Sequence, residues 1–201
     1  MFPSYAHRLA EQIIRTLQPY CIRIDACGSL RRHRSPGTKL EILCVPQSGF
    51  ITSGDSTVYA PITAFGDALV QLASAINFRK LDLPGYQLEV GDYLVDVLVP
   101  DPRDYYRQLA MRSASRDYVK DILVPAWEKL GWVDSDDGLR RRDQCVATGR
   151  SWICHHPTPD FPPTWFSEAD FYAWLRVTYL HPSDRSVPMF EMPKSTQPSL
   201  S

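Results

Sequence analysis

The stretch CGSLRRHRSPGTKLEILCVP, residues 27–46, decides the fold. Before it, Ile22 and Ile24 alternate with polar neighbours along Cys21 to Cys27, a strand that runs straight into the Gly28-Ser29 turn or helix start. Near its end, Leu40 to Val45 is a short apolar run bounded by Lys39 and Pro46, the pattern of a strand buried on both faces. A loop of mixed basic and turn residues joins the two. A Gly-Ser turn after a strand offers backbone N–H groups, a hydroxyl and the positive end of a helix, and the arginines that follow can fork onto anionic oxygens. Together these groups suit a polyphosphate.

Further along, Tyr86 to Val90, the pair Gly91-Asp92 and Tyr93 to Val99 read as a hairpin closed by Pro100, with Asp96 at the centre of Leu94 to Leu98. The side-chain period of two puts Lys39 and Glu41 on one face, where Asp96 of a neighbouring strand can meet them. Convergent carboxylates hold the two divalent ions of metal-assisted phosphoryl transfer. The competing reading of Glu41 and Asp96 is the solvated face of an edge strand, and spacing alone does not choose between the two.

Around this centre the chain reads as mixed α/β. Leu9, Ile13, Ile14 and Leu17 form a helical stripe over Tyr5 to Leu17, ended by Pro19. Residues 47 to 61, rich in Gly, Ser, Thr and Pro, are expected to be an exposed loop, and Phe65 to Ile76 a helix. Beyond Pro100 come helices over Tyr105 to Met111 and Tyr118 to Leu130, a strand pair over Gly131 to Arg142 about Asp137-Gly138, and an extended proline-rich run over 157 to 165. A last helix, Ser167 to Leu175, opens on an N-capping Ser-x-x-Asp and carries Phe171, Trp174 and Leu175 on one stripe. The expected fold class is α+β: a mixed-sheet lobe over residues 1–100, a small α+β lobe over 101–187 and a disordered tail over 188–201.

Of the 201 residues, 44% are hydrophobic, enough to close a sizeable core. Lys+Arg 22 against Asp+Glu 23 leaves a formal net charge of -1, which excludes a global positive field and restricts any nucleic-acid contact to a local patch. The five cysteines are odd in number and lack CxxC spacing, as expected of reduced thiols in a cytoplasmic protein. No apolar stretch approaches the roughly 20 residues of a membrane span, so no membrane partner is expected.

In this order and spacing, GSLRR, TKLEILCVP, VDVLVP, RSAS, WEKLGW, DDGLRRR and FSEADFYAWLRVTYLHPSDR resemble the family X DNA polymerases. The chain is most similar to the small phage-like or viral members of these DNA polymerase beta-like nucleotidyltransferases, which keep only the palm and the adjoining subdomain. The resemblance runs from about Ile22 to Arg185. It implies a nucleoside triphosphate as ligand, DNA or RNA as further partner, and magnesium or manganese as cofactor. By position, Gly28, Ser29 and Arg32 match the grip on the β- and γ-phosphates, Glu41 and Asp96 the second and third metal ligands, and Arg112, Ser113 and Ser115 the turn that holds the sugar. Lys39 stands at the first metal-binding carboxylate, Arg112 and Ala114 alter the sugar turn, and Val119 stands where the family often has an Asn that reads the base edge.

An ammonium ~4 Å from a divalent ion, at an effective dielectric near ~20, repels it by roughly 8 kcal/mol before relaxation, enough to lower metal occupancy sharply. The site is then inactive or slowed. Otherwise Lys39 itself lies over the triphosphate as a fixed cation, or it points aside and Asp25, Glu89 or Asp92 supplies a ligand. Two functions follow: nucleotide transfer to a nucleic-acid 3′-hydroxyl, or a degenerate nucleotidyltransferase that binds nucleotide, nucleic acid or protein without turnover. Elsewhere, Arg31, Arg32, His33 and Arg34, with Arg140, Arg141 and Arg142, are either phosphate-tracking clusters or solvated loop charge. Cys145, Cys154, His155 and His156 fit no standard zinc spacing. Trp174 and Tyr179 read as core residues.

Overall fold

The computed structural model describes residues 4–34, 37–53, 56–73, 75–77, 84–135, 138–149 and 151–185. Ser4 caps the first helix, α1 (Tyr5–Leu17), whose buried residues Ala6, Leu9, Ala10, Ile13 and Leu17 follow the expected stripe. Strand β1 (Cys21–Ala26) leads into one helical turn, α2 (Gly28–Arg31), and then β2 (Lys39–Pro46). Residues 47 to 61 are not the expected loop. They form an antiparallel hairpin, β3 (Ser48–Ser53) and β4 (Ser56–Pro61), in which Phe50 pairs with Tyr59 and Ile51 with Val58. Aromatic and β-branched residues favour strands, and here the surrounding Gly and Ser hid them. Helix α3 (Thr63–Leu72) stops short of Ile76, which lies in β5 (Ala75–Asn77) opposite Leu88. A short apolar run fits either period, and pairing with the sheet decided this one.

The hairpin of β6 (Gly85–Val90) and β7 (Tyr93–Leu98) turns on Gly91, at φ 58°, and completes a five-stranded mixed sheet of order β1-β2-β7-β6-β5. Its centre is the parallel pair β2 and β7, in the register Lys39↔Leu94, Glu41↔Asp96 and Leu43↔Leu98. Leu40, Ile42, Cys44, Val95 and Val97 face the core that holds Ile13 and Leu17 of α1 and Phe65 of α3. On the other face Leu43, Val45 and Leu98 pack with Tyr105 and Leu109 of the next helix, α4 (Tyr105–Arg112). Glu41 and Asp96 belong to this second face by parity, two residues before Leu43 and Leu98, where the apolar packing gives way to charge.

Beyond α4 a helical run comprises α5 (Arg116–Tyr118), a π turn over Val119–Leu123 and α6 (Val124–Lys129). Pro125 has no N–H to give to the carbonyl four residues back, and the helix widens just before it. Strands β8 (Trp132–Ser135), β9 (Gly138–Arg141), β10 (Cys145–Thr148) and β11 (Ser151–Cys154) form a second mixed sheet of order β10-β11-β8-β9. Helix α7 (Glu168–Leu175) follows the extended run and is capped by the Ser167 hydroxyl, which accepts from the Asp170 N–H at 3.1 Å. Trp127, Trp132, Trp165, Phe171 and Tyr172 dominate a second core. The chain is thus α+β, as expected. The expected tail lies outside the described residues, and among those described no helix is long and apolar enough to cross a membrane.

One polar cluster ties the two halves together. Glu168, at the start of α7, accepts from Arg31 of α2 at 3.1 and 2.9 Å and from Arg185 at 2.6 Å. Arg185 is fully buried, and its remaining donors go to the Leu180 carbonyl at 2.9 and 2.7 Å. Burial pushes the Glu168 carboxyl up, but the bonds and charges of Arg185 and Arg31 outweigh it and hold the group below its ordinary range. A carboxyl so depressed stabilises the fold fully above its unfolded value of about 4.3 and loses that contribution as pH falls through the folded value. Removing one partner of such a cluster leaves a buried charge uncompensated, so Glu168→Ala is expected to cost about 3–5 kcal/mol. Urea unfolding of wild type from neutral pH down to about pH 3 should show falling stability below about pH 5, and Glu168→Gln should flatten that limb. Equal acid slopes in the two proteins would place the acid sensitivity at other carboxylates.

Candidate functional site

The site begins where β1 ends. Cys27 is extended and buried, and its N–H donates to the Glu41 carbonyl at 2.9 Å, so the chain leaves the sheet beside β2. The next residue turns sharply: Gly28 has φ 66°, and a Cβ there would collide with Glu41 Oε2. Glycine is required twice over, by the left-handed backbone and by the carboxylate lying across it. Ser29 and Arg32 then line a cavity of about 240 Å³ with Cys27, Leu30, Lys39 and Glu41. The Cys27 thiol is no nucleophile, because burial, followed by the charge of Glu41, raises its pKa. Helix α2 is only four residues long, so an anion at this turn would meet side chains more than a helix dipole.

Three cations and two carboxylates converge. Lys39 Nζ lies 2.7 Å from Asp96 Oδ2, and Gln87 Nε2 donates to Asp96 Oδ1 at 2.8 Å. The Asp96 side chain is 3% exposed, whereas that of Lys39 is 54% exposed and borders the cavity. Glu41 Oε1 is 3.6 Å from Arg112 Nη1. Arg32 Nη1 donates to the carbonyls of Ala114 at 3.1 Å and Arg112 at 3.4 Å, which anchors the guanidinium at the end of α4. Burial, then the like charge of Arg34, lowers the Arg32 pKa. The Nε atoms of Arg32 and Arg112 are buried donors with no hydrogen-bond partner among the described residues, and an anion is the natural acceptor for such groups.

Gly28, Ser29, Arg32, Lys39, Glu41, Asp96 and Arg112 are therefore brought together. Ser113 and Ser115 have other partners: the fully buried Ser113 hydroxyl accepts from Arg31 at 2.9 Å, and Ser115 caps α5 by accepting from the Tyr118 N–H at 3.2 Å. Val119 is half-buried against the second core. Of the substitute ligands considered for a metal, Asp25 is engaged by the Tyr105 hydroxyl at 2.7 Å. Gln87 is the residue that sequence reading missed. The two-residue turn at Gly91-Asp92 pairs Val90 with Tyr93, and counting back along both strands reaches Gln87 opposite Asp96.

Several residues of the basic clusters are drawn into local contacts. Arg31 is bound to Glu168, Arg140 and Arg103 both lie over the Phe161 ring at 4.4 and 4.1 Å, Arg141 lies over Trp132, and Arg142 over Trp152. Cys145 pairs with Cys154 across β10 and β11. Trp174 packs in the aromatic cluster with Trp132, Trp165 and Phe171, whereas Tyr179 is 43% exposed and sits against Arg185 at the rim of the joint.

Among the described residues no group of three or more His, Cys, Asp or Glu side chains converges, and each carboxylate of the Glu41–Asp96 pair already faces a protein cation. No family model matches the chain, and no curated protein matches it.

The close fit of Glu41 over Gly28 has a measurable consequence. Gly37 also has positive φ, 61°, but among the described residues nothing lies within 4 Å of its missing Cβ. Gly37→Ala should cost only the left-handed penalty of about 1–2 kcal/mol. Gly28→Ala should cost more, because Glu41 must also swing off Arg112, and denaturant unfolding compares the two directly. Equal losses would mean that Glu41 moves aside freely.

Proposed function

We propose that this cleft binds the polyphosphate of a nucleoside triphosphate, and that the protein is a DNA polymerase beta-like nucleotidyltransferase whose transfer step is disabled at Lys39. The observation that carries the reading is the 2.7 Å ion pair between Lys39 and the buried Asp96, set beside Ser29 and Arg32. The hydroxyl and the guanidinium supply donors for phosphate oxygens, and the ammonium adds a point charge on the same wall. Ordinary transfer would need the carboxylates to gather divalent ions, whereas here they hold side-chain cations. The chemistry this leaves is recognition: orienting a polyphosphate, with the sugar and base directed toward the end of α4 at Arg112.

The second reading is nucleotide transfer to a DNA or RNA 3′-hydroxyl with magnesium or manganese. The direct Glu41↔Asp96 register favours it, since those two carboxylates keep the spacing that the family resemblance implies. A continuous nucleic-acid partner is less well supported, because Arg31, Arg140, Arg141 and Arg142 are drawn into separate local contacts. DNA or RNA affinity should accordingly be weak and fall steeply with salt.

Calorimetric titration should give tighter binding of ATP than of AMP. Arg32→Ala should lose about 1.5–3 kcal/mol of the triphosphate affinity, the worth of a hydrogen bond to a charged group. Equal affinity for mono- and triphosphate would overturn the polyphosphate grip. A primer-extension assay addresses the second reading: wild type should incorporate little or no nucleotide, and robust magnesium-dependent incorporation would establish transfer instead.

A further inference from the structure

We infer that Lys39 and Arg112 are the built-in counterions of this cleft, so that it takes a polyphosphate as the free anion and in preference to its magnesium complex. The inference rests on the polyphosphate reading above and adds the ionic form of the ligand.

The argument starts from the carboxylates. A metal competes for a carboxylate oxygen against whatever that oxygen already holds. Asp96 is nearly sealed from solvent, with Gln87 on one oxygen and Lys39 on the other. For an ion to approach Oδ2, the ammonium would have to leave a buried partner that keeps its charge, and removing one member of such a pair is the expensive direction. Glu41 is more open, yet Arg112 stands 3.6 Å from one oxygen and the other lies across Gly28, where a Cβ would collide with it. Asp96 is therefore not a vacant ligand, and Glu41 shares one oxygen with a guanidinium.

The balance of charge points the same way. Lys39, Arg32 and Arg112 outnumber Glu41 and Asp96 by one, so the protein side of the cleft is already suited to an anion. An ammonium has three donors, and Lys39 gives one to Asp96 while more than half of its side chain remains exposed along the cavity. The Ser29 hydroxyl and Arg32 guanidinium share that wall. A polyphosphate that brings magnesium brings two positive charges into a group of three cations, whereas the free anion meets the donors of Ser29, Arg32 and Lys39, with the Glu41 carboxylate on the same lining facing Arg112.

The test titrates the full-length protein with ATP and with inorganic tripolyphosphate, first in EDTA and then in excess magnesium chloride. Both ligands should bind in EDTA, compete with each other, and bind at least about tenfold more weakly with magnesium, a change of roughly 1.4 kcal/mol. Lys39→Gln should weaken binding in EDTA by about tenfold, and Lys39→Asp should reverse the dependence so that magnesium strengthens binding. Circular dichroism of each variant checks that it is folded, and Lys39→Gln carries the test if Lys39→Asp is not. Binding that requires magnesium, or is equal with and without it, overturns this inference and leaves the polyphosphate grip standing. Failure of both ligands to bind in either condition overturns the grip itself.

Discussion

The site depends on Glu168, although Glu168 lies outside it. This carboxylate holds Arg31, the last residue of the single turn that carries the cleft, and Arg185, the last described residue of the chain. Such clusters add little net stability compared with well-packed apolar residues of the same volume, because desolvation offsets most of the attraction. Their effect is geometric: a carboxylate with two arginines has few arrangements that satisfy every donor. The Ser113 hydroxyl and the Ser115 N–H, which donates to the Arg185 carbonyl at 2.9 Å, extend the network to the end of α4. The turn from α4 to α5 is therefore fixed by the same group that fixes α2.

Between these anchors, five consecutive residues reach different surroundings. Gly28 lies under Glu41, Ser29 faces the cavity, Leu30 enters the main core, Arg31 reaches Glu168 and Arg32 reaches the α4 carbonyls. One helical turn spaces side chains by about 100°, so adjacent residues necessarily point in different directions. A short turn can then serve as the meeting point of two cores and one cleft, where a longer helix would repeat each face and fill the cavity. The strand register supplies the opposite wall, because parity on β2 and β7 places Glu41 and Asp96 just beyond the apolar cover that Leu43 and Leu98 share with α4.

Parity is also why this part was legible in sequence. Alternation along residues 39–45 and 94–98 puts Lys39, Glu41 and Asp96 on one face, and the register of β2 and β7 agrees. Gln87 was legible in the same way, from the two-residue turn, and was overlooked. The Arg31–Glu168 contact was not legible: it joins residues 137 apart, and nothing local distinguishes Arg31 from the cavity-lining Arg32 beside it. The misread segment at 47 to 61 failed for a compositional reason, since Gly, Ser and Thr suit turns and exposed strands alike. Helix α3 failed at its end because Ile76 fits both a helical stripe and a buried strand, and only the pairing with Leu88 separates the two.

One position sets the sign of the field in the cleft. With an aspartate at 39, as the family resemblance implies for a metal-using site, the ionised groups at 32, 39, 41, 96 and 112 would sum to one negative charge, which attracts cations. With Lys39 they sum to one positive charge, which attracts anions. The backbone need not move for this change, because the exposed start of β2 accommodates a long side chain whose ammonium reaches the carboxylate on the neighbouring strand. A metal drawn to carboxylates and a phosphate drawn to cations use the same walls. On the proposed reading, substituting one residue on a fixed strand pair exchanges one kind of guest for the other and leaves the donors of Ser29 and Arg32 in place.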